Sequence, residues 1–262
     1  MEIPQNLRKR MEQLVQNTII DFNLIGVTTP EDAAKRLGLT IHNGKLLQVD
    51  GVFDEERRVI LINDNVKLDQ RKRFTLYHEI CHYLLRNDDE FFSDLNDLYE
   101  DDDEFRKVEE RLCDIGAIEF AAPKENVKTL INEHGFSIHL LFELENKYNL
   151  SKQSAMWRLA ECAPHPCILA ICRVDFDIFP LIKLVPKEMK VESAWTSEWT
   201  PYKLRKETPI PDDHPIWATY NSFDDYFSIK DTYIQFYSGN QMEASLEGLW
   251  VNGRAYTVFN LK

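Results

Sequence analysis

The chain has 262 residues, 44% of them hydrophobic, and a formal net charge of −13. That length suits one large domain or two smaller ones with a real core, and a surface so acidic repels phosphate backbones, which argues against strong DNA binding by the whole protein. No apolar run approaches the roughly eighteen residues of a membrane helix, and the polar start "MEIPQNLRKRMEQ" is unlike a signal peptide, so a soluble cytoplasmic protein without membrane association is expected. Five cysteines (Cys81, Cys113, Cys162, Cys167, Cys172) with no Cys-x-x-Cys pair argue against a disulfide framework and a cysteine-rich zinc knuckle, and they are expected to be reduced.

From Pro4 to Phe22 apolar residues recur at helical spacing (Leu7, Met11, Leu14, Ile19), and Thr29-Pro30 followed by Glu31 and Asp32 signals the start of a second helix. The next stretch, "LTIHNGKLLQVDGVFDEERRVILIN", alternates β-branched runs with Asn-Gly, Asp-Gly and a charged turn, which predicts consecutive antiparallel strands. The last of them feeds a helix that runs from Asp69 through Arg86. An acidic connection, "NDDEFFSDLNDLYEDDDEF", then leads to a helix from about Phe105 to Phe120, closed by Ala121-Ala122-Pro123. The helical segments "SIHLLFELENKY" and "SKQSAMWRLAECA" are separated by Asn149-Leu150, with Ser151 placed to cap the second. Beyond Pro164 the chain is rich in β-branched and aromatic residues, and Asn252-Gly253 between two such runs predicts a hairpin. The fold class is α+β, with a boundary near Ala163 to Pro166.

Within "RFTLYHEICHYLL" His78 and His82 stand four residues apart, so on a helix they share a face and can turn ring nitrogens toward one ion about 2 Å away. Glu79 lies one step round, placed to take a proton from a water that the metal has acidified rather than to bind the metal. A catalytic zinc site needs a third protein ligand and an open position. "FRKVEERLCDIGAIEFAAP" offers Glu109 and Glu110 on a later helix, and spacing alone does not choose between them. Either could instead be an exposed carboxylate. His42, His134, His139, His165 and His214 have no spacing that recruits them, and Cys81 and Cys113 read as small packing residues.

"RFTLYHEICHYLL" followed by "VEERLCDIGAIEFAAP" resembles the ImmA/IrrE family of metallopeptidases, whose pattern is Phe-Thr-x-x-His-Glu-x-x-His and then Glu-x-x-(Ala or Cys)-(Asn or Asp) running into small residues and Pro. The likeness is closer to the IrrE branch, through "FFSDLNDLYE", "RLCDIGA" and a β-rich C-terminal region. The motifs cover 58–123; the last hundred or so residues match by length and character. The resemblance implies a zincin-like metallopeptidase domain over 1–123, a helical, helix-turn-helix-like segment over 124–163 and a GAF-like sensor domain over 164–262. It selects Glu110 as the third zinc ligand beside His78 and His82, makes Glu79 the general base, and leaves Glu109 on the surface. Manganese or another divalent ion could replace zinc, because these ligands do not separate first-row metals. The family's usual Leu-Met-Pro ending reads Ala121-Ala122-Pro123 here.

The resemblance also implies the substrate: a helix-turn-helix repressor of the Cro/CI or Xre type, cut once to release a stress or DNA-damage response. An alternative from another class is a non-catalytic regulator that keeps the metallopeptidase fold and binds DNA or a repressor through the middle helices, with Ser154, Trp157 and Arg158 as exposed contacts. Retention of Glu79 speaks against it, because a binder has no need of a general base. A zinc amidase acting on small molecules is a third reading. The acidic run Glu100 to Glu104 reads as a solvated loop that could steer a basic repressor. Trp195, Trp199, Trp217, Tyr220 and Trp250 either line a pocket or fill the C-terminal core.

Overall fold

Apolar residues at helical spacing build α1 (Gln5–Asp21), which buries Leu7, Met11 and Val15 in the computed structural model. The structure describes residues 3–24, 29–178, 184–220 and 225–262. The Thr29 hydroxyl caps α2 (Pro30–Arg36) by accepting the Asp32 amide, as the Thr-Pro-Glu-Asp signal predicts. These elements belong to the first of two units, Met1–Pro123 with Tyr148–Ser151.

Three strands follow, β1 (Thr40–Gly44), β2 (Gly51–Asp54) and β3 (Val59–Asn63), in the order β1-β3-β2. β2 and β3 form the expected antiparallel hairpin, but β1 pairs with β3 in parallel. The prediction of consecutive antiparallel strands fails at Asn43-Gly44. Neither residue has the positive φ that a two-residue hairpin turn requires, and both continue β1, opposite Ile62 and Asn63. The chain instead loops through 45–50, held by the buried Asn63, whose amide donates to the carbonyls of Leu46 and Val49 at 2.9 and 2.8 Å. β3 becomes the central strand, and β2 is left at an edge.

β3 delivers the chain to α3 (Asp69–Arg86). The acidic connection predicted next contains a helix of its own, α4 (Asp89–Leu98), capped by the Asp88 carboxylate and anchored by Phe91 and Leu95, both fully buried. The acidic run at 100–104 is likewise not a free loop. Asp101 accepts the amides of Asp103 and Glu104 and starts α5 (Asp102–Ala121), where the positive end of the helix dipole favours the acids of the first turn.

The second unit comprises Lys124–Lys147 and Lys152–Lys262. It holds α6 (Lys124–His134), most of α7 (Leu140–Tyr148), α8 (Lys152–Cys162) and a six-stranded antiparallel sheet. The strands are β4 (Cys167–Ile178), β5 (Leu184–Thr196), β6 (Pro209–Ile210), β7 (Tyr226–Gln235), β8 (Gln241–Val251) and β9 (Arg254–Leu261), ordered β6-β5-β4-β9-β8-β7, with a short helix α9 (Ile216–Tyr220) before β7. Asn252 and Gly253 both have positive φ and close the predicted β8–β9 hairpin. Trp217, Tyr220 and Trp250 pack against the core of this sheet, whereas Trp199 is half exposed and donates its indole N–H to the Ala163 carbonyl. Arg158, taken from the sequence as an exposed contact on α8, is 1% exposed and pairs with Glu161 at 3.0 Å. It shares the inward face with Ala155, Leu159 and Cys162, so it cannot reach DNA as it stands; Ser154 and Trp157 are half-buried.

All five cysteines are free and buried. One close packing point governs the first unit: a Cβ at Gly116 of α5 would lie 2.5 Å from the Met11 methyl and 2.6 Å from the Cys81 sulfur, so α1, α3 and α5 meet where only glycine fits. Gly116→Val is therefore expected to destabilise the protein by about 3 kcal/mol through overpacking, read from the urea midpoint at unchanged slope.

Candidate metal centre

α3 and α5 lie against each other with opposed directions, because the partners of rising residue numbers on α3 fall along α5. His78 faces Glu110 and Asp114, His82 faces Glu109 and Glu110, and Arg86 faces Glu109. The helical step of four brings His78 and His82 to one face, with their Nε2 atoms 3.2 Å apart. Glu110 closes the triangle, one carboxylate oxygen 3.1 Å from His78 Nε2 and the other 3.5 Å from His82 Nε2. A tetrahedral ion bound at about 2.0 Å needs donors about 3.3 Å apart, so two imidazoles and a carboxylate stand here at the spacing and with the chemistry of a zinc-type site. Among the described residues this is the one group of histidine, cysteine and carboxylate donors close enough to hold a metal ion.

Both remaining ring nitrogens are engaged from behind. His78 Nδ1 lies 3.2 Å from Asp114 Oδ1, and His82 Nδ1 lies 3.1 Å from Glu109 Oε1, which also accepts Arg86 Nε at 2.8 Å. Glu109 was expected on the surface and is 4% exposed. Adjacent residues on a helix point about 100° apart, and here the contact line with α3 passes between 109 and 110, so both carboxylates face α3. They meet different ring nitrogens of His82, which separates their tasks: Glu110 shares the Nε2 side with His78, and Glu109 holds the opposite edge.

Glu79 is buried in the same cleft, which has a volume of about 520 Å³ and takes part of its wall from β2. The backbone of Phe53 in β2 hydrogen-bonds its carboxylate. Gly51 leaves the space for it: a Cβ there would fall 2.9 Å from Glu79 Oε1 and 2.7 Å from the Thr75 methyl. Arg71, from the basic "RKR", pairs with Asp50 at the cleft wall rather than forming a patch. His42, His134 and His139 are exposed, and His214 is buried, its Nδ1 accepting the Ile216 amide and its Nε2 donating to the Tyr233 carbonyl in β7.

The electrostatics follow from these contacts. Burial pulls the His78 imidazole down, but the hydrogen bonds with Asp114 and Glu110 outweigh it and raise it to about 10. His82 is raised in the same way, burial opposing Glu109 and Glu110. The two imidazoles hold the Glu110 carboxyl well below the usual range. Burial pushes Glu79 up against the pull of His82 and His78. Glu109 would be raised by burial, yet its bonds with His82 and Arg86 keep it low. Burial alone dominates at Cys81 and Cys113, driving both thiols far above their ordinary value, which makes them inert packing groups.

Comparison with known proteins places this chain in a family. Residues 34–160 match the model of the IrrE N-terminal-like domain. A radiation response metalloprotease IrrE from Deinococcus deserti is 36% identical over 225 residues, 86% of this chain and 78% of that one. Its namesake from Deinococcus radiodurans is 32% identical over 208 residues, 76% of this chain and 61% of that one. A solved structure described as a Mycobacterium tuberculosis transcriptional regulator superposes on 99% of this chain and 76% of its own with a TM-score of 0.55, and at 11% identity that likeness concerns the fold alone.

Two outcomes are expected from this geometry. Gly51→Ala pushes the Glu79 carboxylate out of place without touching the donors, so kcat should fall about 100-fold while metal content measured by elemental analysis is unchanged. A metal needs neutral imidazoles, and His78 retains its proton up to about 10. Metal uptake at pH 8 should therefore release protons into a weakly buffered solution, and apparent affinity should climb as pH rises toward about 10. Uptake without proton release would show that the imidazoles are already neutral.

Proposed function

The chain belongs to the IrrE family of metallopeptidases, and from that premise we propose that it is a zinc-dependent, site-specific endopeptidase whose substrate is a helix-turn-helix repressor of the Cro/CI or Xre type. His78, His82 and Glu110 hold the metal, and Glu79 is the general base. The observation that carries this reading is the convergence of two Nε2 atoms and a carboxylate within hydrogen-bonding distance of one another in a cleft that also buries a second, differently placed carboxylate, that of Glu79.

The bound ion supplies Lewis acidity, lowering the pKa of water toward neutrality and polarising the scissile carbonyl. Glu79 accepts a proton from the attacking water at a carboxylate oxygen as the water oxygen bonds to the carbonyl carbon. It then passes that proton to the amine nitrogen as the C–N bond breaks, so it ends the cycle ionised. Its burial, which favours the protonated form, suits a group that must keep the proton between the two steps. The Phe53 backbone and the Gly51 recess keep the carboxylate from turning away.

The repressor substrate is supported by the relatives, which are named radiation response metalloproteases, since removal of a repressor by a protease is a direct way to start a response. The net charge of −13 suits capture of a basic DNA-binding protein better than contact with DNA itself. The C-terminal unit, with an antiparallel sheet whose mostly aliphatic core is flanked by Trp217, Tyr220 and Trp250, is read as a GAF-like sensor that regulates the protease.

The test is to incubate the zinc-loaded protein with a repressor encoded beside it and to follow the repressor by intact mass. One cut is expected, abolished by a chelator and slowed 10²- to 10⁴-fold by Glu79→Gln. A repressor that stays whole but co-purifies with wild type and variant alike would replace the protease with a binding module.

A further inference from the structure

Glu109 is next to a metal-site carboxylate and is almost fully buried, yet it does not share the donor triangle. Its contacts explain the position. It bridges the Nδ1 edge of His82 and the Nε of Arg86, one helical turn further along α3. Burying a carboxylate costs more than burying an apolar side chain of the same size, so the pairing with Arg86 alone gives no reason to place an acid there. An acid at Nδ1 does have an effect: it fixes the proton on that nitrogen, which leaves the lone pair on Nε2, directed at His78 Nε2 and Glu110.

We propose that Glu109, clamped by Arg86, is the positioning residue that orients His82 and sets its tautomer for metal binding, so that α5 supplies both the third ligand and the group that aims the second. The inference rests on His82 being a ligand. Asp114 stands in the equivalent place behind His78, but it is more exposed and is shared with Arg111 at 3.2 Å, so its hold is weaker and more screened. Among the described residues, the exposed Glu55 at 3.5 Å is the other partner of Arg86, which leaves its guanidinium committed to Glu109.

The experiment is a competition between the full-length protein and a chromogenic chelator for zinc, run with wild type, Glu109→Gln, Asp114→Asn and His82→Ala. Urea unfolding of each metal-free protein accompanies it, as does detection of the imidazole protons of the zinc-loaded forms by long-range nitrogen–proton correlation. Glu109→Gln keeps the shape and loses the charge. It should weaken zinc 10- to 100-fold and move the His82 Nδ1 proton upfield while the His78 signal stays, with Asp114→Asn the milder variant. A role confined to stability would alter the urea midpoint and leave zinc affinity and the His82 proton unchanged, and that result would overturn the proposal. If Glu109→Gln unfolds too readily to titrate, Arg86→Met keeps the carboxylate and removes only its clamp; several-fold weaker zinc with a shifted His82 proton supports the proposal, and wild-type values overturn it. A His82→Ala protein that binds zinc as wild type does would sink the ligand assignment itself, and the inference with it, whereas normal binding by Glu109→Gln beside a defective His82→Ala sinks the inference alone.

Discussion

The contact between α3 and α5 is the constraint on which the rest of the first unit depends. Every donor in the cluster and every group that holds a donor comes from one of these two helices, so their register decides whether the site exists. A step of one residue along α5 rotates its side chains by about 100°. Such a slip would turn Arg111 toward the imidazoles in place of Glu110 and set a cation where the site needs an anion. Gly116 holds that register by letting α1 and α3 approach so closely that the Met11 methyl and the Cys81 sulfur occupy the place of a side chain.

The sheet contributes the other fixed point. Because β1 pairs with β3 in parallel, β3 is central and β2 lies at an edge, where it walls the cleft. A buried carboxylate survives only with partners, and Glu79 takes one from the Phe53 backbone while Gly51 gives it room. Helix and edge strand therefore divide the work: α3 and α5 gather the donors, and β2 holds the Glu79 carboxylate.

Much of this was legible in the sequence, and the misses have physical causes. Local signals succeeded where one element decides the outcome: Thr29 as a cap, the motif helix from Asp69 to Arg86, and the hairpin at Asn252-Gly253. They failed where pairing decides. Asn43-Gly44 has the same composition as Asn252-Gly253, but tertiary pairing with β3 keeps it extended. The family resemblance puts Glu109, and the helix-turn-helix likeness Arg158, on the surface, where charge is normally solvated; a buried partner, His82 with Arg86 or Glu161, reverses that preference. Helical spacing put Glu109 and Glu110 on α5 without saying which ring nitrogen each would meet, since that depends on the helix across from them.

The acidic character of the chain also changes meaning once its carboxylates have addresses. Asp88 and Asp101 are consumed as helix caps, and Asp50 is tied to Arg71, so none of them charges the cleft freely. Around the donor triangle stand the carboxylates of Glu79, Glu109, Glu110 and Asp114, opposed by the guanidiniums of Arg86 and Arg111. Glu55, on the outer side of Arg86, is exposed and screened by water. With both imidazoles neutral, carboxylates outnumber guanidiniums around the triangle, so a net negative charge remains in a partly buried space. Protonated imidazoles relieve that excess when no metal is bound: against burial, which lowers it, the hydrogen bonds with Asp114 and Glu110 and the charges of Asp114 and Glu79 raise His78 to about 10. A divalent cation relieves it with the imidazoles neutral, so proton and metal compete for the same negative cluster.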